Sequence, residues 1–322
     1  MFILPIDNNL AQEQIKAIGV HQASIGIMTA KSEIMPLKIA KVRTPAANIL
    51  KQEMLAAGGD CVVNAACVTC SGEHTDVLLL GTVKHYKMLI HKLAQMNYFG
   101  LGKINSLLQE YLLPKTLHTV LPSGRVVLYD SMQVMGIVNV TEDSFFEPSR
   151  KHDIVAVLDT VEQMLADGAQ IIDVGGESTR PGFTPVPAEI EIKRVVPVVA
   201  AIKERFGAKA IVSVDTYKAQ TAKYALEAGA DLINDISGCA DVQMREVLLN
   251  ASAPVVVMHM FKHERENNAA GTDIVQNVAQ SLYERTESML AEGFSHDKII
   301  IDIGIGFGKT QAENLRLLKY LK

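Results

Sequence analysis

The chain has 322 residues, 48% of them apolar, and carries 31 basic against 36 acidic side chains. This length allows two domains, or one barrel-sized domain with an appendage, and the apolar content can supply real cores. The mildly acidic balance, without a long basic run, argues against a nucleic-acid partner.

The composition predicts a cytoplasmic protein without a membrane partner. No stretch reaches about 18 uninterrupted apolar residues, the length needed to cross a bilayer. Near the N-terminus, Asp7, Asn8 and Asn9 stand where a signal peptide would need its apolar centre.

The cysteines are Cys61, Cys67, Cys70 and Cys239, too few for a disulfide framework in a chain of this size. Cys67 and Cys70, with His74 nearby, could hold zinc or act as a redox pair. A structural zinc site usually takes a second ligand pair, and none follows. We therefore expect reduced thiols in a short strand.

Residues 1–125 are predicted to form a small α+β domain of unknown role. The hydrophobic spacing favours helices and strands in alternation. The helices are expected at residues 46–57, 85–94 and 103–112, and the strands at residues 61–68 and 76–80. Nothing in this region indicates a particular chemistry.

Residues 126–322 are predicted to form a second domain, which from Met135 onward repeats one unit: a short apolar strand, a polar glycine-containing loop and an amphipathic helix. The predicted strands are residues 134–140, 170–174, 210–214, 231–234, 255–258 and 298–302. Near-continuous apolar strands that alternate with such helices indicate a parallel sheet covered by helices. Residues 167–173 and 228–234 also share one pattern, and this repetition favours a TIM-type (β/α)8 barrel.

The number of units is smaller than a closed barrel needs. Six strands are predicted, Lys322 falls in a helix that begins near Gln311, and a closed barrel takes eight strands and about 250 residues. We therefore expect an α/β fold of six βα units that lacks the C-terminal two. A short strand at residues 125–129 is expected to close the bottom of the barrel.

Polar side chains end all six predicted strands: Asn139, Asp173, Asp215, Asn234, His259 and Asp302. One such residue alone more often caps a helix or a turn. Because the carboxyl ends of parallel strands meet at one edge, six of them predict a binding site. The acceptors Asp215 and Asp302, with the amide of Asn234, suit a flat heterocycle that bears amino and ring N–H groups.

Two further residues predict an anionic group beside that heterocycle. Arg180, on the loop after residue 177, suits a planar anion or an electron-rich ring. Asn139 is neutral and bears an amide oxygen, which is compatible with a Mg²⁺ that is otherwise bound by water and by substrate phosphates. The sequence thus indicates a polar heterocycle next to an anionic leaving group.

Six motifs, in order and spacing, resemble those of the dihydropteroate synthase family. They are residues 135–145, 175–182, 213–216, 233–236, 258–260 and 302–309. The resemblance implies a transferase of folate biosynthesis that joins 4-aminobenzoate to 6-hydroxymethyl-7,8-dihydropterin diphosphate and releases diphosphate. It also suggests a homodimer.

The resemblance implies roles for individual residues. Asp215, Asn234, Met260 and Asp302 would hold the pterin, and Asn139 would coordinate Mg²⁺ with the diphosphate. The 4-aminobenzoate pocket would be formed by Ser178, Thr179, Arg180, Pro181 and Phe307. Arg180, Asp215 and Asp302 would act in catalysis, where departure of diphosphate leaves a cationic methylene and electrostatic stabilisation should dominate.

Several positions depart from the family pattern. The first loop has Glu142 where proline is usual and loses its glycines, Ile303 replaces the proline of Asp-Pro-Gly, and Phe261 with Lys262 replaces the usual Gln-Gly. The family's Lys-Ser-Arg stretch on the seventh strand and the arginine on the eighth have no counterpart before Lys322. We therefore expect part of the active site to be missing from this sequence.

Two alternative functions stay open at this point. One is a methyltetrahydrofolate-binding methyltransferase, which would share the acid-amide-acid set, although residues 177–182 argue against it. The other is an inactive, truncated chain that only binds pterin.

Overall fold

The computed structural model describes residues 11–69, 72–113, 116–140, 150–177, 185–261 and 273–321. The chain divides into two compact units, Met1–Lys115 and Thr116–Lys322. In the described ranges, no helix combines the length and the apolar character needed to cross a membrane.

In its described residues, the first unit combines five helices with a three-stranded antiparallel sheet, in which His74–Gly81 lies between Met35–Arg43 and Asp60–Val63. Its helices are α1 (Ala11–Ala17), α2 (Gln22–Ser32), α3 (Thr44–Ala57), α4 (Val83–Leu93) and α5 (Leu101–Leu112). Its strands are β1 (Met35–Arg43), β2 (Asp60–Val63) and β3 (His74–Gly81). Leu50, Leu79, Tyr86 and Leu89 form the centre of its core and have no exposed surface. The small α+β unit expected from the sequence is therefore present.

Two strands of this unit differ from the prediction. The strand expected over residues 61–68 is only Asp60–Val63, because the side chain of Asn64 accepts a hydrogen bond from the amide of Ala66 and turns the chain. The strand Met35–Arg43 was not predicted, because a bulge between Ile39 and Val42, where Lys41 has a φ of +54°, interrupts its alternating pattern.

The thiols of this unit are buried where they are described. Burial raises the pKa of Cys61 to about 11, which keeps its thiol protonated. Cys67 is also buried and ends a short 3-10 helix rather than lying in the expected strand, whereas Cys70 lies outside the described residues, so the expected reduced state of these two cysteines stays a prediction.

The second unit consists of a β-hairpin followed by six βα units. The hairpin strands are β4 (His118–Val120) and β5 (Val126–Leu128). The sheet strands are β6 (Met135–Asn139), β7 (Ile171–Gly175), β8 (Ile211–Asp215), β9 (Leu232–Asp235), β10 (Val255–Met258) and β11 (Ile299–Asp302). The helices are α6 (Arg150–Ala166), α7 (Ala188–Phe206), α8 (Ala219–Glu227), α9 (Val242–Ala251), α10 (Ile274–Ala291) and α11 (Gln311–Lys319).

The six strands are parallel and lie in sequence order, with β6 and β11 at the two edges of the sheet. This arrangement confirms the predicted six units of a (β/α)8-type fold. The predicted strand bounds agree with the observed ones to within one residue.

Alternation along the strands creates two apolar layers. Val174, Val212 and Ile233 belong to the large core that includes the helices. Ile171 and Ile211, whose side chains lie on the opposite face of the sheet, form a second cluster with residues of the hairpin. The face of the sheet that carries Ile171 and Ile211 is therefore apolar near the start of the strands and polar near their ends.

Because the hairpin belongs to the second unit, the boundary between the units lies earlier in the chain than the sequence predicted. The sequence placed this boundary after residue 125, whereas the structure places it after Lys115. The reason is packing: Leu121 and Val127 are buried against the first residues of the sheet strands, and Lys298 donates to the carbonyl of Val120. A strand at residues 125–129 was predicted to close the barrel's bottom, and β5 with its partner β4 does so.

Candidate functional site

The predicted substrate residues that the structure describes lie at the carboxyl edge of the six-stranded sheet. Asn139, Asp215, Asn234 and Asp302 occupy the last or next-to-last positions of their strands. Met260 and Phe307 follow in the loops after β10 and β11; Met260 is 42% exposed, and Phe307 is partly buried. This edge is where parallel α/β folds bind ligands.

Four predicted residues, Ser178, Thr179, Arg180 and Pro181, lie outside the described residues. Their roles at the 4-aminobenzoate pocket stay predictions.

A missing side chain lets Asn139 and Asp215 approach the same space. Gly175 ends β7 between them, and a Cβ atom there would lie 3.1 Å from Oδ1 of Asn139 and 3.7 Å from Cβ of Asp215. Asn139 itself is exposed. Glycine at this position therefore leaves an open space lined by an amide oxygen and a carboxylate.

Asp173 and Asn234 are joined inside the sheet. The amide Nδ2 of Asn234 donates to Oδ2 of Asp173 over 3.0 Å, across the intervening strand β8. Asp173 is only 5% exposed. Burial raises the pKa of Asp173, and the hydrogen bond from Asn234 offsets part of that rise.

Asp215 is a buried carboxyl group whose pKa is strongly raised. Burial and the negative charge of Asp173 raise its pKa to about 7. Its Oδ1 atom is buried and has no hydrogen-bond partner within the described part of the chain. A buried carboxylate without a donor suits a ligand that supplies N–H groups.

The loop after β11 is held by a buried lysine. Nζ of Lys309, a residue only 8% exposed, donates to the carbonyls of His259 over 3.0 Å and of Gly304 over 2.7 Å. Asp302 accepts from the amide of Gly304 over 2.7 Å, and Gly304 has a φ of +65°. Glycine thus keeps the turn after Asp302 although Ile303 replaces the usual proline.

His259 and Phe261 form a packed pair at the end of β10. Their ring centroids lie 4.9 Å apart in an edge-to-face arrangement, and the ammonium of Lys309 lies 5.5 Å from the ring centroid of Phe261. Burial and the charge of Lys309 lower the pKa of His259, so its imidazole is neutral. The structure thus explains the unusual Phe261, which packs against both neighbours.

A buried ion cluster next to the site was not predicted from the sequence. Lys218, 15% exposed, contacts Oε2 of Glu177 and lies 2.8 Å from Oε2 of Glu191, which is 1% exposed. Oε1 of Glu177 accepts from the hydroxyl of Tyr217 over 3.0 Å, and Oε2 accepts from the amide of Val186 over 2.9 Å.

The protonation states of this cluster are defined by its contacts. Although burial raises the pKa of Glu177, the ammonium of Lys218 and the amide of Val186 bring it below its usual value. Burial lowers the pKa of Lys218, but Glu177 and Glu191 raise it above its usual value. Glu177 and Lys218 are therefore charged at neutral pH, and the cluster joins the end of β7 to the starts of α7 and α8.

The amide oxygen of Asn139 fits the ligand chemistry of Mg²⁺. It is exposed beside the open space at Gly175, which leaves room for water and phosphate oxygens. Among the residues that the structure describes, no group of three His, Cys, Asp or Glu side chains could hold a metal by itself.

Comparison with known proteins agrees with the geometry. Residues 135–322 match the family described as pterin binding enzyme. The dihydropteroate synthase of Streptococcus pyogenes is 44% identical over 199 residues, which are 62% of this chain and 72% of that protein. A solved structure of the Xanthomonas albilineans dihydropteroate synthase with 4-aminobenzoic acid has a TM-score of 0.56 and 35% identity, over 64% of this chain and 73% of that one.

One relative also covers part of the first unit. A probable bifunctional folylpolyglutamate synthase/dihydropteroate synthase of Haloferax volcanii is 36% identical over 294 residues, which correspond to 86% of this chain and 34% of that protein. This share exceeds the second unit, so the similarity extends into the first.

Proposed function

Since the chain belongs to the dihydropteroate synthase family of pterin-binding enzymes, we propose that it condenses 6-hydroxymethyl-7,8-dihydropterin diphosphate with 4-aminobenzoate, giving 7,8-dihydropteroate and diphosphate. The observation that carries the proposal is the set of acceptor side chains at one sheet edge, with Asp215 buried and lacking a donor among the described residues.

The pterin ring is recognised by acceptors. Asp215 and Asp302 accept from its amino and ring N–H groups, Asn234 contacts it through its side-chain amide, and Met260 covers it from the loop after β10. A ligand N–H satisfies the buried Oδ1 of Asp215, which has no hydrogen-bond partner among the described residues. Binding of a heterocycle that bears an amino group is therefore favoured.

The reaction is driven by positioning and charge. Departure of diphosphate leaves a cationic methylene conjugated with the pterin, and the carboxylates of Asp215 and Asp302 stabilise positive charge on the ring. Arg180, Ser178, Thr179, Pro181 and Phe307 orient 4-aminobenzoate so that its amine attacks that carbon. The amine loses its proton to water or to the released diphosphate as the C–N bond forms, and no covalent enzyme intermediate is required.

Mg²⁺ would be held by Asn139 together with oxygens of the diphosphate and water. When bound, the ion neutralises negative charge on the leaving group. The role of the chain is to present the Asn139 oxygen beside the space that Gly175 leaves open.

Turnover of the 322-residue chain is the direct test. Diphosphate release and dihydropteroate formation are measured with both substrates, for the wild type and for Asp215→Asn. We expect Asp215→Asn to lose pterin binding while the fold stays cooperative. The control is Asp231→Asn, a buried carboxylate at the opposite end of β9 that pairs with Lys203 over 2.8 Å.

Three results would contradict the proposal. Turnover by Asp215→Asn at the wild-type rate would refute the site assignment. Methyl transfer from methyltetrahydrofolate would favour the methyltransferase, and pterin binding without any turnover would favour a chain that only binds pterin.

We also propose that the chain forms a homodimer and that it is located in the cytoplasm. A homodimer is supported by the family resemblance, and light scattering after size-exclusion chromatography would test it. The cytoplasmic location rests on composition, and cell fractionation would test it.

A further inference from the structure

The side chain of Asn234 is held from behind by a carboxylate that lies deeper in the sheet. Asp173 lies two residues before the end of β7, whereas Asn234 is one residue from the end of β9. Their hydrogen bond of 3.0 Å passes over Ser213 of β8, which pairs in register with Asp173 and has no exposed surface. Asp173 is 5% exposed, whereas Asn234 is partly exposed. Of the two, Asn234 is thus the residue open to a ligand.

This contact determines which way the amide faces. Oδ2 of Asp173 accepts from Nδ2 of Asn234, so this oxygen carries no proton, whether or not the other carboxyl oxygen does, whereas an amide has one donor group and one acceptor oxygen. Rotating the amide of Asn234 by half a turn would bring its oxygen against the oxygen of Asp173, and the buried pair would lose its hydrogen bond. Asp173 therefore holds Nδ2 of Asn234 inward, which leaves Oδ1 on the opposite side of the amide.

We propose that Asp173 is a positioning residue that turns the amide oxygen of Asn234 toward the substrate and thereby selects the reduced pterin ring. This inference rests on the proposed function, because it names the feature of the pterin that the site discriminates. The residue acts through Asn234 and does not contact the substrate.

The selection follows from the difference between the two ring systems. A 7,8-dihydropterin carries an N–H at position 8, whereas the fully oxidised pterin has a bare nitrogen with a lone pair there. An oxygen fixed as an acceptor binds the first and repels the second. A site built around a required N–H rejects the analogue without it more strongly than an apolar pocket rejects a change in size.

The test compares two ligands, 6-hydroxymethyl-7,8-dihydropterin and 6-hydroxymethylpterin, by anaerobic titration calorimetry. We expect the wild type to bind the reduced ligand at least about tenfold more tightly. In Asp173→Asn the residue at 173 no longer imposes one orientation, so affinity for the reduced ligand should fall about tenfold and the preference should largely disappear. The control Asp231→Asn should keep the preference.

A double-mutant cycle separates positioning from folding. If Asp173 acts through Asn234, then Asn234→Ala should lose the preference, and adding Asp173→Asn should change it no further. The KM for 4-aminobenzoate should stay unchanged in Asp173→Asn. If Asp173→Asn fails to fold cooperatively, Asp173→Ala takes its place in the same cycle.

The outcomes distinguish failure of the positioning role of Asp173 from failure of the proposed function. If the wild type prefers the reduced ligand and Asp173→Asn keeps the full preference, the positioning role is refuted while the proposed function stands. Additive effects in the cycle would refute it as well. If the wild type binds neither pterin, the proposed function itself fails.

Discussion

At the scale of single residues, the buried carboxyl group of Asp215 lowers the stability of the fold when it is ionised. Asp215 is a carboxyl group in a buried position, beside the like charge of Asp173, and its pKa is raised to about 7. A group with a raised carboxyl pKa binds its proton more strongly in the folded than in the unfolded state. Its ionised form therefore lowers the free energy of unfolding at high pH.

The variant Asp215→Asn should be more stable than the wild type at pH 8, by about 2 kcal/mol. Its advantage should shrink as the pH falls from 7 toward 4, because the folded wild type then holds a neutral carboxyl group. Urea denaturation at several pH values measures the difference. An advantage that does not depend on pH would contradict this explanation.

A second residue-scale prediction concerns Gly175. In Gly175→Ala the new methyl group would lie 3.1 Å from Oδ1 of Asn139, so this side chain must shift. We expect the KM for the pterin diphosphate to rise about tenfold, while affinity for the pterin without diphosphate changes less. Steady-state kinetics at varied Mg²⁺ measure this effect. Gly26→Ala, with nothing within 4 Å of the new atom, is the control.

At the scale of elements, the buried ion cluster fastens three segments together. Glu177 follows β7, Glu191 lies in the first turn of α7, and Lys218 precedes α8. Arg194 of α7 also donates to the carbonyl of Gly176 over 2.9 Å. The positions of these segments therefore depend on one ammonium group shared between two carboxylates.

Removing that ammonium should be costly. In Lys218→Met, two buried carboxylates lose their cationic partner. We expect a loss of about 3–5 kcal/mol in the free energy of unfolding. The control Lys38→Met removes an exposed pair with Asp76 and should cost no more than about 1 kcal/mol. Denaturant unfolding compares the two, and equal losses would show that the cluster has no special weight.

Elements with a strong local pattern could be predicted, and long-range contacts could not. The strand Val255–Met258 was predicted with its observed bounds, because four consecutive apolar residues lie between clear breaks. By contrast, Met35–Arg43 was missed because a bulge between Ile39 and Val42 breaks its alternating pattern. The contact of Lys218 with Glu177 joins residues 41 positions apart, and no local spacing indicates it.

At the scale of the whole molecule, the region that matches the family begins later in the chain than the structural unit that contains it. The family match begins at residue 135, whereas the second unit begins at Thr116. The residues between include the hairpin, whose Leu121 and Val127 are buried against the start of the sheet strands. The hairpin is therefore part of the folded unit that bears the site.

A fragment of residues 116–322 should accordingly fold and bind pterin with the affinity of the whole chain. A fragment of residues 135–322 should be less stable, because the apolar layer around Ile171 and Ile211 loses its cover. Thermal unfolding followed by circular dichroism and pterin titration compare the two. Equal stability of both fragments would show that the hairpin is dispensable.

The enclosure of Lys309 has a practical consequence. Its ammonium is surrounded by the carbonyls of His259, Gly304 and Phe307, so an amine-acylating reagent cannot reach it in the folded chain. Exposed lysines are modified at once, whereas Lys309 becomes reactive only when the loop after β11 opens. Mass-spectrometric footprinting of this single amine therefore reports the local opening of the carboxyl edge of the sheet without any ligand.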